Sequence, residues 1–503
     1  MKIQNPILRG FYPDPSACEA NGKFYLCSST FQYLPGAPIF ESEDLINWHQ
    51  VANCLTSTKQ IELNRVPSSG GMFAPTLRFH EGIFYMVTNN NTYGKNFYVY
   101  TEDLNKEWSE PVFVDQDGID PSILFDEDGK TYFTSNGNDE KGACIRQCEI
   151  DIKTGERLTE SRVIWRGSGG RYIESPHLYH IGDWYYLLVA EGGTEYGHMV
   201  TYARSKEPFG PFEGYPLNPV LTNRNLGGNE SIIQGIGHGD LIKDKNGNYF
   251  ILCLGFRQQG EWMAFHQLGR EVYIAPVYFE EDGWFKAGDN GTVREYMELP
   301  LDTVQKLRGS YDFSFDINPL KDMHYMYLRD YHREDYFFDE KEKALHLKGS
   351  SISLDEADTP TFIALRQSEF NIDLNVSVSG NASEAGISIY MDEDEHYDLI
   401  RYIDYEALEN EMVKVALRIR TGDAKELKDE AFFSMGSEVH LNVTSDAERY
   451  YFNVIIDKEK ISLGKARSKY LSSESAGGFT GVMLGMYAYE GEGIFRNFSL
   501  KQS

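Results

Sequence analysis

The chain has 503 residues, more than one hydrophobic core usually fills, so two domains are the first expectation. Its 77 Asp and Glu against 48 Lys and Arg leave a formal charge of -29 and a pI near 4.8, a balance that repels nucleic acid and anionic membranes and excludes both as partners. Aromatic residues make up 14% of the chain, with 33 Tyr and 30 Phe, a bias that suits strands and sugar-facing surfaces and predicts a mostly β protein.

In chain order, five segments share a glycine-led aromatic strand: "GKFYLCSST" from Gly22, "GIFYMVTNN" from Gly82, "GKTYFTSNG" from Gly129, "GDWYYLLVA" from Gly182 and "GNYFILCLG" from Gly247. Intervals of 47 to 65 residues fit one four-stranded propeller blade each. A second short strand precedes every glycine ("DPSACEAN", "APTLRFHE", "DPSILFDED", "ESPHLYHI", "HGDLIKDKN"), so each glycine is expected to close a hairpin. "DEDGK" and "DKNGN" lack the full ligand spacing of a calcium loop and read as turns. From about Gly309 the glycine-aromatic repeat stops. Alternating segments such as "EKALHLKGSSISL", "FNIDLNVSVSG", "MVKVALRIRTG" and "IFRNFSLKQ" predict a β-sandwich instead. The expected domains are a five-bladed β-propeller over residues 1–305 and a β-sandwich over 306–503, joined within residues 294–313. No low-complexity linker separates them, so they are expected to pack together.

If the hairpins are equivalent, the residues leading them, Asp14, Ala74, Asp120, Glu174 and His238, converge on the central channel from five blades. Three carboxylates confined together raise one another's pKa until one stays protonated near neutrality. Glycoside hydrolysis needs that division, with one acid protonating the leaving oxygen and one carboxylate activating water or attacking the sugar. Asp-Pro-Ser alone is a turn signature; its recurrence at Asp14 and Asp120, with Glu174 at a third position, favours chemistry. Glu191 in "AEGGTEYGH" is the rival to Glu174, but it follows the aromatic strand and is expected away from the convergence point. His238 has no second histidine or cysteine at metal spacing, so no transition metal is expected. No cofactor is required on this reading, while a hard cation such as Ca²⁺, or water, bound at His238 in the channel is left open.

The runs "NPILRGFYPDPSAC", "SSTFQYLPGAPIFESEDLINW", "DPSILFDEDGKTYF", "ESPHLYHIGDWYYLLVAEGGTEYGH", "GHGDLI" and "LGREVYIAPV" resemble glycoside hydrolase family 43, in particular its β-xylosidases and α-L-arabinofuranosidases. Residues 310–503 look like the concanavalin A-like, jelly-roll sandwich those enzymes carry, notably in "AGISIYMDEDEHYDL" and "GGFTGVMLGMYA". The resemblance implies an inverting mechanism, with Asp14 as general base, Glu174 as general acid and Asp120 as the residue that tunes and orients the acid. It further implies Arg270 near the substrate hydroxyls, Phe31 lining the sugar pocket and Phe479 closing it from the sandwich. The chain departs from the family where "GGMFAPT" replaces "GGIWAPH", which puts Phe73 and Thr76 at the tryptophan and histidine positions and bears on substrate choice.

The expected activity is removal of a terminal pentose, first β-1,4-xylosyl, from short xylo- or arabinoxylo-oligosaccharides. The alternatives are α-L-arabinofuranosidase or dual activity, and, in another class, a non-catalytic carbohydrate-binding protein. The start "MKIQNPILRG" has no apolar segment behind a basic one, and no stretch nears the roughly 18 apolar residues of a membrane span, so a cytoplasmic protein is expected. Cys18, Cys27, Cys54, Cys144, Cys148 and Cys253 are scattered and read as buried thiols. A homo-oligomer is left open.

Overall fold

The computed structural model describes residues 1–227, 230–260, 262–306, 312–456 and 458–503. Among the described residues five antiparallel four-stranded sheets follow one another along the chain, each built from strands in chain order, the first stepping over the short strand Tyr33–Leu34. Their first hairpins are Ser16–Ala20 with Lys23–Cys27, Thr76–His80 with Ile83–Asn90, Ser122–Phe125 with Thr131–Asp139, Glu174–Ile181 with Trp184–Glu191, and Ile233–Lys243 with Tyr249–Arg257. The five repeat glycines all take positive φ, from 60° at Gly182 to 90° at Gly247, where a side chain would be strained. The first strands of successive blades touch in a closed ring, one to two, two to three, and so on from five back to one. These strands therefore line the axis, and the ring is a five-bladed β-propeller. The N-terminal strand Lys2–Gln4 pairs with Tyr296–Glu298 and Leu8 bridges Val272, which ties the start of the chain to the last blade.

Beyond the propeller, two large sheets stack over one core of aliphatic and aromatic side chains that includes Leu374, Val376, Ile387, Leu399, Val415, Phe452 and Phe495. The strand alternation read from the sequence points these residues inward. Among the sandwich strands that did not stand out are Thr361–Arg366 and Met483–Tyr489, each a nearly continuous buried run, and the exposed charged strands Ala424–Ser434 and Glu459–Arg467. The last blade strand ends at Ala287 and the first sandwich strand begins at Phe313. The expected boundary at 305/306 falls between them, beside residues 307–311, which lie outside the described residues.

The sandwich is built onto the propeller. Its second sheet continues through Met326–Leu328 onto Tyr33–Leu34, a strand of propeller chain two residues past Phe31, with Tyr327 opposite Leu34 and Leu328 opposite Tyr33. Arg329, fully buried, donates to Val66 O from Nε and to Asp358 O from Nη1, and pairs with Glu393. Gly269 and Gly481 lie so close that a Cβ on the first would stand 3.1 Å from the second's Cα. All six cysteines are buried and unpaired. Among the described residues no helix is long and apolar enough to cross a membrane.

Candidate active site

Asp14, Asp120 and His238 each hold a left-handed backbone, with φ of 56°, 52° and 47°; the two aspartates stand just before the first strands of blades one and three, and His238 lies within that of blade five, at a break in its pairing between Gly237 and Gly239. Such a conformation costs of order 1–3 kcal/mol for a residue with a side chain and persists only where the surroundings enforce it. In blade four the residue in this state is Ser175, with φ of 54°, and Glu174 precedes it. The expected equivalence of Glu174 with Asp14 and Asp120 is therefore off by one: Ser175-Pro176 matches Asp14-Pro15 and Asp120-Pro121. An irregularity in pairing between Glu174 and His177 accommodates the difference and leaves Glu174 facing the same cavity.

That cavity, about 160 Å³, is lined by Asp14, Asp120, Glu174, Ser175, Thr194, His198, His238 and Arg270, with Phe31, Phe73, Phe479, Ala74 and Ile119. It lies well below the roughly 300–1,000 Å³ of sites for drug-sized molecules and suits one sugar ring. Every residue expected at the site lines it except Thr76. Thr76 is buried with its hydroxyl donating to Pro121 O at 2.9 Å, so it ties blade two to blade three and offers nothing to a ligand. Glu191 lies outside, as expected from its place in the repeat.

Asp14 is clamped. Arg270 Nη1 donates to its Oδ1 at 3.1 Å, His238 Nδ1 stands 3.3 Å from the same oxygen, and Ser29 Oγ donates to Oδ2. Ser175 Oγ donates to Asp120 Oδ2 at 2.8 Å and lies 2.9 Å from His238 Nδ1, linking the second carboxylate to the histidine. Burial alone would raise the Asp14 pKa, but the Arg270 charge and the His238 contact outweigh it and hold the carboxyl well below the usual range. Glu174 goes the other way. Burial first, then the charge of Asp120, push its pKa up to about 8, against the opposing pull of His238. Asp120 itself is raised, by burial and by Asp14, with His238 opposing. At neutral pH the cavity thus holds an ionised Asp14 and a protonated Glu174.

Three phenylalanines form the apolar wall. Phe31 stacks on Phe479 with ring centroids 5.9 Å apart and meets Phe73 edge-on at 5.3 Å. The Arg270 guanidinium lies 5.7 Å from the Phe31 ring and 5.6 Å from that of Phe479. Phe479 comes from the sandwich and stays 36% exposed, as a residue at the rim must. Its backbone is strapped to the propeller: its N–H donates to Ser69 Oγ at 2.8 Å and its carbonyl accepts from Arg270 Nη2 at 3.2 Å. Outside lies a second cavity of about 520 Å³ that shares Thr194, Arg270 and Phe479 with the first and adds Tyr196, His266 and Glu474.

A family model described as glycosyl hydrolases family 43 matches residues 3–285, and one described as a beta xylosidase C-terminal Concanavalin A-like domain matches residues 312–497. The chain belongs to glycosyl hydrolase family 43. This family 43 glycosidase is 37% identical to a non-reducing end alpha-L-arabinofuranosidase of Bacteroides ovatus, over 97% of this chain and 91% of that one. It is 33% identical to a xylosidase/arabinosidase of Butyrivibrio fibrisolvens, over 96% and 95%. Among solved structures, a xylan beta-1,4-xylosidase from Bacillus halodurans superposes with a TM-score of 0.90 at 28% identity, covering 99% of this chain and 100% of that one.

In this family 43 propeller, the axis beneath the site is filled by a side chain. Arg78, on the first strand of blade two, donates from Nη1 to Asp240 Oδ2 at 2.9 Å and to Ser16 Oγ at 3.2 Å, while Nη2 lies 3.1 Å from His177 Nδ1. Those partners belong to blades five, one and four, so the guanidinium sits on the axis. Asp240, 1% exposed, accepts further from Ala17 N–H and Tyr179 OH, so its oxygens are used. Burial and Arg78 hold His177 as the neutral ring, with its pKa down to about 3 despite Asp240. Around Arg78 the Asp240 carboxylate is taken by a cation the chain itself supplies. His238 faces protein partners through Nδ1. Among the described residues no group of three or more His, Cys, Asp or Glu is placed to hold a metal.

Sequence reasoning passed over Ser29, Ser175, Thr194 and His198. Ser175 could have been found from its proline, since Ser-Pro-His in blade four repeats the Asp-Pro-Ser of blades one and three. Thr194 accepts from Arg270 Nη1 at 2.8 Å and His198 packs beneath the site with Nδ1 3.0 Å from Gly235 O; both arrive on a loop and carried no repeat signal.

Proposed function

We propose that this family 43 glycosidase removes a single terminal pentose with inversion, acting on β-D-xylosyl and α-L-arabinofuranosyl ends of short xylo- and arabinoxylo-oligosaccharides. The observation that carries the reading is two carboxyl groups in opposite surroundings around one cavity of about 160 Å³, Asp14 clamped by Arg270 and His238 and Glu174 buried beside Asp120, which favours an ionised Asp14 and a protonated Glu174. Glu174 gives its proton to the glycosidic oxygen as the bond to the anomeric carbon breaks. Asp14 takes a proton from the water that attacks that carbon from the opposite face. The leaving alcohol departs neutral, the sugar hydroxyl is new, and solvent returns the proton from Asp14 to Glu174. Asp120 keeps the acid protonated by its charge. Arg270 directs its donors at sugar hydroxyls, and Phe31, Phe73 and Phe479 cover the ring's C–H face. The cavity's size and the cover of Phe479 favour exo action, with the remaining oligosaccharide in the outer space.

Both sugars are assigned because the relatives that match nearly the whole chain are named for arabinofuranosidase and for xylosidase/arabinosidase activity. An NMR time course with 4-nitrophenyl β-D-xylopyranoside and 4-nitrophenyl α-L-arabinofuranoside tests it. Both are expected to be cleaved, with α-xylose the first anomer from the xyloside. β-Xylose appearing first would replace inversion by retention, and cleavage of one glycoside alone would narrow the substrate.

We also propose that no resident metal is needed, because the Arg78 guanidinium supplies the positive charge on the axis. Dialysis against EDTA is expected to leave kcat/KM within twofold of the untreated enzyme, a change of about 0.4 kcal/mol or less. Loss of activity restored by added Ca²⁺ would refute this.

A further inference from the structure

Glu191 is fully buried, ends the second strand of blade four, and takes no part in the chemistry described above. Among the described residues no Lys, Arg or His stands within ion-pair distance of it. Its charge is met by hydrogen bonds instead. Oε1 accepts from Ser168 N–H at 2.7 Å, Ser168 Oγ at 2.9 Å and Thr201 Oγ1 at 2.6 Å, and Oε2 accepts from Gly170 N–H at 2.6 Å. Three of the four donors belong to the strap Gly167-Ser168-Gly169-Gly170, which wraps the carboxylate so closely that side chains are excluded. A Cβ at Gly167 would stand 2.9 Å from Glu191 Cδ, and one at Gly170 2.6 Å from Oε2. Two backbone N–H groups two residues apart thus close on one carboxylate together with two hydroxyls, and buried charge-assisted bonds of this kind are the strong ones.

Four residues beyond Gly170 the strap becomes the strand that opens with Glu174. Glu174 pairs with Ala190, the neighbour of Glu191, and Gly192 N–H donates to Arg171 O at 2.7 Å, so the strap is fixed to the same strand end on both sides. We propose that Glu191 is a positioning residue for Glu174, its carboxylate setting the strap that delivers the acid to the glycosidic oxygen. The inference rests on Glu174 being the acid. It accounts for a carboxylate that the fold buries without an opposite charge beside it.

A misplaced acid has a signature that a merely weakened fold lacks. Xylobiose needs a proton on its leaving oxygen, whereas the 4-nitrophenolate of an aryl xyloside leaves without one. Glu191→Gln swaps one acceptor for a donor facing the strap N–H groups. Gly170→Ala, at a half-buried position with an ordinary backbone, pushes a methyl against Oε2, where only the flexible end of Met199 stands as close, and keeps Glu191. Each is expected to lower kcat/KM on xylobiose by about 10²-fold, the scale of a 1 Å misplacement, with KM little changed and with at most a few-fold loss on the aryl xyloside. Glu174→Gln is measured beside them and should show the same split more strongly. Equal losses on both substrates, or no loss on either, in Glu191→Gln and Gly170→Ala would overturn the proposal. If Glu174→Gln itself shows no split, the acid assignment fails and this inference falls with it; if only Glu174→Gln shows the split, this inference alone fails.

Discussion

Glu174→Gln is expected to yield a protein that is more stable than the parent and nearly inactive on natural oligosaccharides. Loss of a general acid is worth about 10²–10⁴ in rate, or roughly 3–5 kcal/mol of barrier. The parent's kcat/KM on xylobiose should fall with a basic limb near pH 8, where Glu174 gives up its proton. On an aryl xyloside that limb should flatten, because its leaving group does without the acid. The stability effect has the opposite sign. Glu174 binds its proton more tightly folded than unfolded, so its contribution to stability is complete below the ordinary carboxyl value near 4.3 and drains away as pH rises towards 8. Gln carries no such dependence. The difference in Tm between variant and parent should therefore be small at pH 4, grow through pH 7 to the equivalent of a few kcal/mol, and level off above pH 8. A Tm difference independent of pH would show that Glu174 titrates normally, and the division of labour in the cavity would be lost with it.

The propeller was legible because each blade repeats the same local solution: a short strand, a glycine with positive φ, an aromatic strand. Asp14 and Asp120 were legible for the same reason. Glu174 was found through an alignment one residue out of register, because the step Ser175-Pro176, which matches Asp14-Pro15 and Asp120-Pro121, was passed over. Thr76 illustrates the converse. Its neighbour Phe73 does face the cavity, but strand alternation and the 2.9 Å bond to Pro121 O turn the threonine into the blade interface. What could not be read was anything arising between distant segments, such as Tyr33–Leu34 extending the sandwich sheet, Arg78 reaching three other blades, or Phe479 held by Ser69 and Arg270. Those contacts depend on how domains and blades close, and no period along the chain encodes them.

Asp14→Asn should be as damaging to the chemistry as loss of the acid and, unlike it, damaging to the fold. Without a base the attacking water keeps its proton, a loss of about 10²–10⁴ in kcat that should appear on xylobiose and aryl xyloside alike, because both need the water. That uniform loss separates the base from the acid. The same substitution leaves the buried guanidinium of Arg270 and the His238 ring facing a neutral amide at 3.1 and 3.3 Å, and breaking a buried pair from one side costs about 3–5 kcal/mol. The Asp14 carboxyl is held below its unfolded value near 3.9, so this stabilisation is fully present above that value and is lost only as pH falls through the lower folded one. Between pH 5 and 8 the Asp14 carboxyl itself adds no pH dependence to the Tm deficit of Asp14→Asn; any change there comes from Glu174 and His238, whose raised pKa values Asp14 supports. Removing the Asp14 charge also withdraws one of the influences that raise Glu174, so whatever activity survives should lose its acid at a lower pH than in the parent. Full activity in Asp14→Asn, or a loss confined to poor leaving groups, would mean that the clamped carboxylate binds sugar and that the base lies elsewhere in the cavity.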